Sequence, residues 1–91
     1  MIDIIEATEV LPLGNYRLFI RFSDGTCGEH DFADLIAEPS PMTTPLRDPA
    51  VFARVFIELG VPTWPNGFDL DAIQLHRDMQ AAGELRRPAA E

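Results

Sequence analysis

The segment Tyr16-Arg-Leu-Phe-Ile-Arg-Phe-Ser-Asp-Gly25 constrains the fold more than any other part of this chain. Its period of two sets Tyr16, Leu18, Ile20 and Phe22 on one face and Arg17, Phe19 and Arg21 on the other. Asp24-Gly25 then supplies turn chemistry, so the pattern predicts a strand over 15–22 that enters a hairpin. Two registers are available. A two-residue Asp24-Gly25 turn would set Ile20 against Glu29 and Leu18 against Asp31, with acids on the apolar face. A three-residue Ser23-Asp24-Gly25 loop, with Gly25 left-handed in a bulge, pairs Phe22 with Thr26, Ile20 with Gly28, Leu18 with His30 and Tyr16 with Phe32. It also sets Arg17 against Asp31 and Arg21 against Cys27. A one-residue slip reverses every side chain, so the pattern selects the three-residue loop.

The flanking sequence predicts a small α+β domain. Residues 3–11 read as a first strand, with an irregularity at the adjacent Ile4 and Ile5, and Pro12-Leu-Gly-Asn15 as a turn. Asp31–Ala37 reads as a short helical turn. Glu38–Pro45 reads as a loop, because its three prolines fix φ and remove donors. Asp48-Pro49 places an N-cap and a first-turn proline at the start of a helix running to about Val55. Phe56–Leu59 and Val61–Trp64 read as short strands joined through Gly60, with Pro62 at an edge. Asp71-Ala-Ile-Gln74 is a capping-box pattern opening a last helix, with Ala72, Leu75, Met79 and Ala82 on one face and Gly83 as its stop. The expected organisation is one domain over 1–83, an antiparallel meander with two short helices, and a flexible tail over 84–91.

With 91 residues, one domain is the natural expectation, and 46% hydrophobic content argues against general disorder. No apolar run approaches the roughly 20 residues that span a bilayer. Acids at the N-terminus stand where a secretory signal would carry Lys or Arg. Cys27 is the only cysteine, which excludes an intrachain disulfide and fits a reducing compartment. The expected location is the cytoplasm. The net charge is −8, and all seven basic residues are Arg. Such a balance argues against direct nucleic-acid binding, which draws its affinity from a basic footprint. A protein partner or self-association remains.

The Tyr16–Gly25 segment, then Asp31-Phe32, Leu35, Leu46-Arg-Asp48, Phe52 and Trp64-Pro-Asn-Gly-Phe-Asp69-Leu70, stand in an order that resembles a bacterial domain-of-unknown-function family. The resemblance runs from about Ile2 to Leu75. It implies a small α+β domain with a strand meander and short helices, and no reaction, cofactor or catalytic residue. Some members look fused to a C-terminal helix-turn-helix, a part for which this sequence leaves no room after its last helix. Others resemble components of two-gene, toxin–antitoxin-like pairs.

Trp64-Pro-Asn-Gly67 reads first as a tight turn with Trp64 on the core; alternatively Trp64 is an exposed interface anchor. Asp69, Asp71 and His76 could ligate a metal, but Asp71 already serves as a cap, and no metal or cofactor is expected. Cys27 and His30, three apart on a strand, point to opposite faces, which argues against a nucleophilic dyad. No phosphate loop, nucleophile elbow or paired-cysteine motif is present. The expectation is therefore a non-enzymatic interaction module whose candidate interface residues are Arg17, Phe19, Arg21, Trp64, Asn66 and Asp69. The alternatives are an accessory transcription regulator acting with a partner, and a small enzyme with a pocket near Trp64, Asp69 and His30.

Overall fold

The computed structural model describes residues 4–88. Strands β1 (Ala7–Gly14), β2 (Arg17–Phe22) and β3 (Cys27–Asp31) form an antiparallel meander in the order β1-β2-β3. The β2–β3 hairpin takes the three-residue register: Arg17 faces Asp31, Leu18 faces His30, Ile20 faces Gly28 and Arg21 faces Cys27. The Phe22 N–H donates to the Thr26 carbonyl at 2.8 Å, and Gly25 turns at φ 90°. Polarity decided this register, since the other one would bury acids.

The first hairpin differs from expectation. β1 begins at Ala7 and continues through Pro12 to Gly14. Pro12 is tolerated because β1 lies at the sheet edge, where register shifts occur at Ala7/Glu9 and Pro12/Gly14. The turn is Asn15-Tyr16, at φ 54° and 61°. Two successive positive φ values match the twist of a two-residue hairpin. Tyr16 thus leaves the strand and packs inward, its ring edge-on to Phe52 at 5.5 Å and its hydroxyl donating to the Arg47 carbonyl.

The chain continues through α1 (Ala33–Ala37), a 3-10 turn at Thr44–Arg47, α2 (Pro49–Phe52), β4 (Phe56–Glu58), β5 (Val61–Thr63) and α3 (Ala72–Ala81). Arg47 closes α1 from outside: its guanidinium donates to the carbonyls of Ile36 at 3.0 Å and Ala37 at 3.2 Å. These are carbonyls left without helical partners at a C-terminus. Asp48 caps α2 through the Ala50 N–H at 2.9 Å. That helix stops at Phe52, three residues short of the expected Val55. β4 and β5 form the expected hairpin, turning through Leu59 at φ 52° and Gly60 at φ 79°. The Ala7 N–H reaches the Gly60 carbonyl at 2.7 Å, docking this hairpin against β1.

At α3, Asp71 accepts from the N–H groups of Ile73 at 2.9 Å and Gln74 at 3.5 Å. The Gln74 amide turns to Asp78 instead of reaching back, so only half of the capping box forms. Gly83 ends the helix at φ 74°. The expected tail needs a correction at its start. Cys27 and Arg86 exchange two backbone hydrogen bonds of 2.9 Å, and Leu85 packs against the core. The crossing depends on Gly28: a Cβ there would lie 2.1 Å from the Glu84 carbonyl oxygen. The segment around Arg86 is therefore tied to the outer edge of β3 by a single antiparallel bridge at Cys27. The rest of the expected tail, 89–91, lies outside the described residues.

Leu18, Ile20 and Phe22 project from the inner sheet face into a core shared with Ile36, Leu46, Phe52, Trp64, Leu75 and Met79. Each such side chain contributes on the order of 1.5–3 kcal/mol through burial. Phe52 stands at the centre of the aromatic packing, with ring centroids 5.7 Å from Trp64 and 6.3 Å from Phe32.

Candidate functional site

The outer sheet face carries the alternating residues that the core rejects. Leu11 on β1 sits opposite Phe19 on β2, which sits opposite Glu29 on β3. Leu11 and Leu13 are exposed, and Phe19 is half-buried beneath the Arg21 guanidinium, 5.7 Å from its ring centre. Arg21 pairs with Glu9 at 3.2 Å and Arg17 with Glu29 at 2.9 Å. The expected Arg17–Asp31 pairing holds for the backbone. The side chain reaches diagonally to Glu29, because Asp31 accepts from the Ala33 N–H at 2.8 Å at the start of α1. The face is thus a short apolar row, Leu11-Phe19, between two neutralised charge pairs.

The other three candidate interface residues lie elsewhere. Trp64 is 1% exposed and its indole N–H donates to the Phe52 carbonyl at 2.9 Å, so it is a core residue and not an exposed anchor. Asn66 bridges its own turn, accepting from the Phe68 N–H at 3.2 Å and donating to the Met42 carbonyl at 3.0 Å. Asp69 is exposed and bridges to Thr63 through the backbone. The imagined pocket around Trp64, Asp69 and His30 does not assemble: His30 instead lines a cleft with Leu35, Leu70 and Gln74. His30 pairs with Glu84 at 2.7 Å and stacks edge-on to Phe32. Cys27 is buried at the Arg86 crossing.

One cluster escaped the sequence reading. The Asp24 carboxylate accepts from the Thr26 N–H at 3.0 Å and the Thr26 hydroxyl at 2.6 Å. His76 Nε2, from α3, lies 2.9 Å from its other oxygen. Arg87 donates to the Asp24 backbone carbonyl at 2.9 Å. Burial pushes the Asp24 carboxyl up, but the hydrogen bonds from Thr26 and the His76 partner outweigh it and hold the group below the usual carboxylate range. These residues wall a cleft of about 300 Å³ with Gln80 and Arg86. The Asp24-x-Thr26 spacing is the sequence sign of this turn; nothing local pairs it with a residue fifty positions away. The arrangement locks the hairpin turn to α3 and to the C-terminal segment. His76 is thereby withdrawn from Asp71, which is occupied as the α3 cap. Among the described residues, no three His, Cys, Asp or Glu side chains converge as a metal site would require.

Residues 7–79 match the model of a family described as a protein of unknown function, DUF2442. The chain belongs to that family. The DUF2442 match ends just before the segment that crosses Gly28, so it takes in the meander, the β4–β5 hairpin and most of α3. No curated protein and no solved structure matches the chain. Among the described residues of this DUF2442 chain, no helix is long and apolar enough to cross a membrane.

Proposed function

We propose that this chain is a non-enzymatic protein-interaction module, one member of a small two-gene, toxin–antitoxin-like pair in the cytoplasm, that meets its partner protein through the outer face of the meander. The observation that carries this reading is the Leu11-Phe19 row, with Leu11 exposed and Phe19 half-buried, on a sheet face whose charges are already paired. An apolar strip between satisfied ion pairs can be covered without stranding a charge, which is the main cost of burying polar surface. The partner is the protein encoded beside this chain.

Direct nucleic-acid binding is disfavoured by the placement of the arginines. Arg17 and Arg21 are neutralised by acids, and Arg47 is spent on the α1 carbonyls. Four other arginines remain, but a net charge of −8 works against the counterion displacement that nucleic-acid affinity needs.

The test is calorimetric titration of this chain with the neighbouring gene product, alongside a Leu11→Ser/Phe19→Ser double variant. Binding by the wild type and at least tenfold weaker binding by the variant is expected. Equal binding by both, or binding by neither, overturns the reading.

A further inference from the structure

Leu59 is the residue the fold explains least. It is 92% exposed and sits at φ 52°, at the first central position of the β4–β5 turn. That position favours Asn, Asp or Gly; a bulky apolar residue there is strained and gains nothing from burial within the chain. Backbone strain at a bulky apolar residue is kept where it serves a contact or a function, and it is the strain that singles out Leu59.

A matching recess lies on the same chain. Pro12, Tyr16, Pro49, Phe52 and Ala53 wall a mainly apolar pocket of about 170 Å³. A cavity of about 150 Å³ accommodates a group the size of benzene, so this pocket has room for a leucine side chain. Knob and pocket stand at opposite ends of β1. The Leu59-Gly60 tip docks at Ala7, and the pocket opens at Pro12 and Gly14. Two copies of β1 laid antiparallel about a two-fold axis would set each Leu59 beside the other copy's pocket, and both contacts would form at once. Such an interface is isologous and closes at two subunits.

The flanking charges agree. Glu58 precedes the knob and Arg54 follows Ala53 on the pocket wall. Both are exposed, and neither side chain makes an ion pair among the described residues. Docking brings acid to base on each side of the axis. Pro12 removes one N–H from the β1 edge, so the contact rests on side chains rather than on a continued ladder.

We infer that the chain forms a two-fold homodimer in which Leu59 of each copy fills the Tyr16–Phe52 pocket of the other. Leu11 on β1 borders both surfaces, whereas Phe19 lies on β2 and does not line the pocket, so Phe19→Ser leaves the dimer intact. The test is light scattering during size exclusion, with far-UV circular dichroism to verify folding. Wild type should run at twice the 10.1 kDa chain mass. Leu59→Asn suits the left-handed turn position, so it should stay folded and run as a monomer. A Leu59→Cys/Ala53→Cys double variant should give a covalent dimer under mild oxidation, while Leu59→Cys on its own should not. A wild type that is monomeric at millimolar concentration overturns the inference, as does a Leu59→Asn variant that remains dimeric. Cross-linking of Leu59→Cys with itself also overturns it.

Discussion

His76 Nε2 on α3 lies 2.9 Å from the Asp24 carboxylate in the β2–β3 turn, fifty-two residues earlier in the chain. The hairpin loop is thus anchored by the last helix as well as by its own strands. Thr26 holds the same carboxylate from below, which leaves the His76 ring edge-on to Phe22 at 5.0 Å. The turn reads as a local motif in the sequence but is a tertiary joint in the molecule.

Asp24→Ala should lower stability at pH 7 by about 1–3 kcal/mol, since it strips charge-assisted hydrogen bonds from Thr26 and His76. The folded carboxyl titrates below its usual value. Its contribution is therefore complete above the unfolded value of about 3.9 and is lost as pH falls through the lower folded value. Urea unfolding of wild type and variant should differ most near neutrality and converge below about pH 4.

Gly28→Ala should destabilise by about 1–3 kcal/mol, because its Cβ would strike the Glu84 carbonyl, a backbone atom that cannot rotate aside. A second readout is Cys27, 3% exposed in the intact fold. Its reaction with a thiol reagent should accelerate in the variant as the crossing segment lifts.

Arg47→Ala should cost about 1–2 kcal/mol by leaving the last α1 carbonyls without their donors. Hydrogen exchange should rise in α1 and in the 3-10 turn while the β2–β3 ladder stays protected.

Removal of residues 84–91 should cost about 2–4 kcal/mol, from the lost burial of Leu85 and the two Cys27 backbone bonds left unpaired. Thermal unfolding measures it. A truncated chain as stable as the whole would mean that the segment merely rests on β3.

The β2–β3 register was legible because one alternative buries Glu29 and Asp31, and no later contact could offset that. Caps at Asp48 and Asp71 were legible because the side chain bonds its own neighbours. The Asn15-Tyr16 turn was hidden: a tyrosine at positive φ runs against local preference, and is held there by its ring on Phe52 and its hydroxyl on Arg47. The Trp64 turn was legible as a turn, but its indole bond to Phe52 joins segments whose approach depends on the whole core. His76 gave no local sign of Asp24, and the Arg86 pairing depends on a single glycine fifty-eight positions earlier that leaves no pattern of its own.

The Cys27–Arg86 pairing also gives this sheet an order of completion during synthesis. The meander can close while the chain is still growing, since β1, β2 and β3 follow one another directly. At Cys27 the outer edge of β3 stays unpaired until Arg86 has been made. Until then the Cys27 N–H and carbonyl stand unpaired at an open sheet edge. Arg86 is therefore the residue that closes this edge at Cys27.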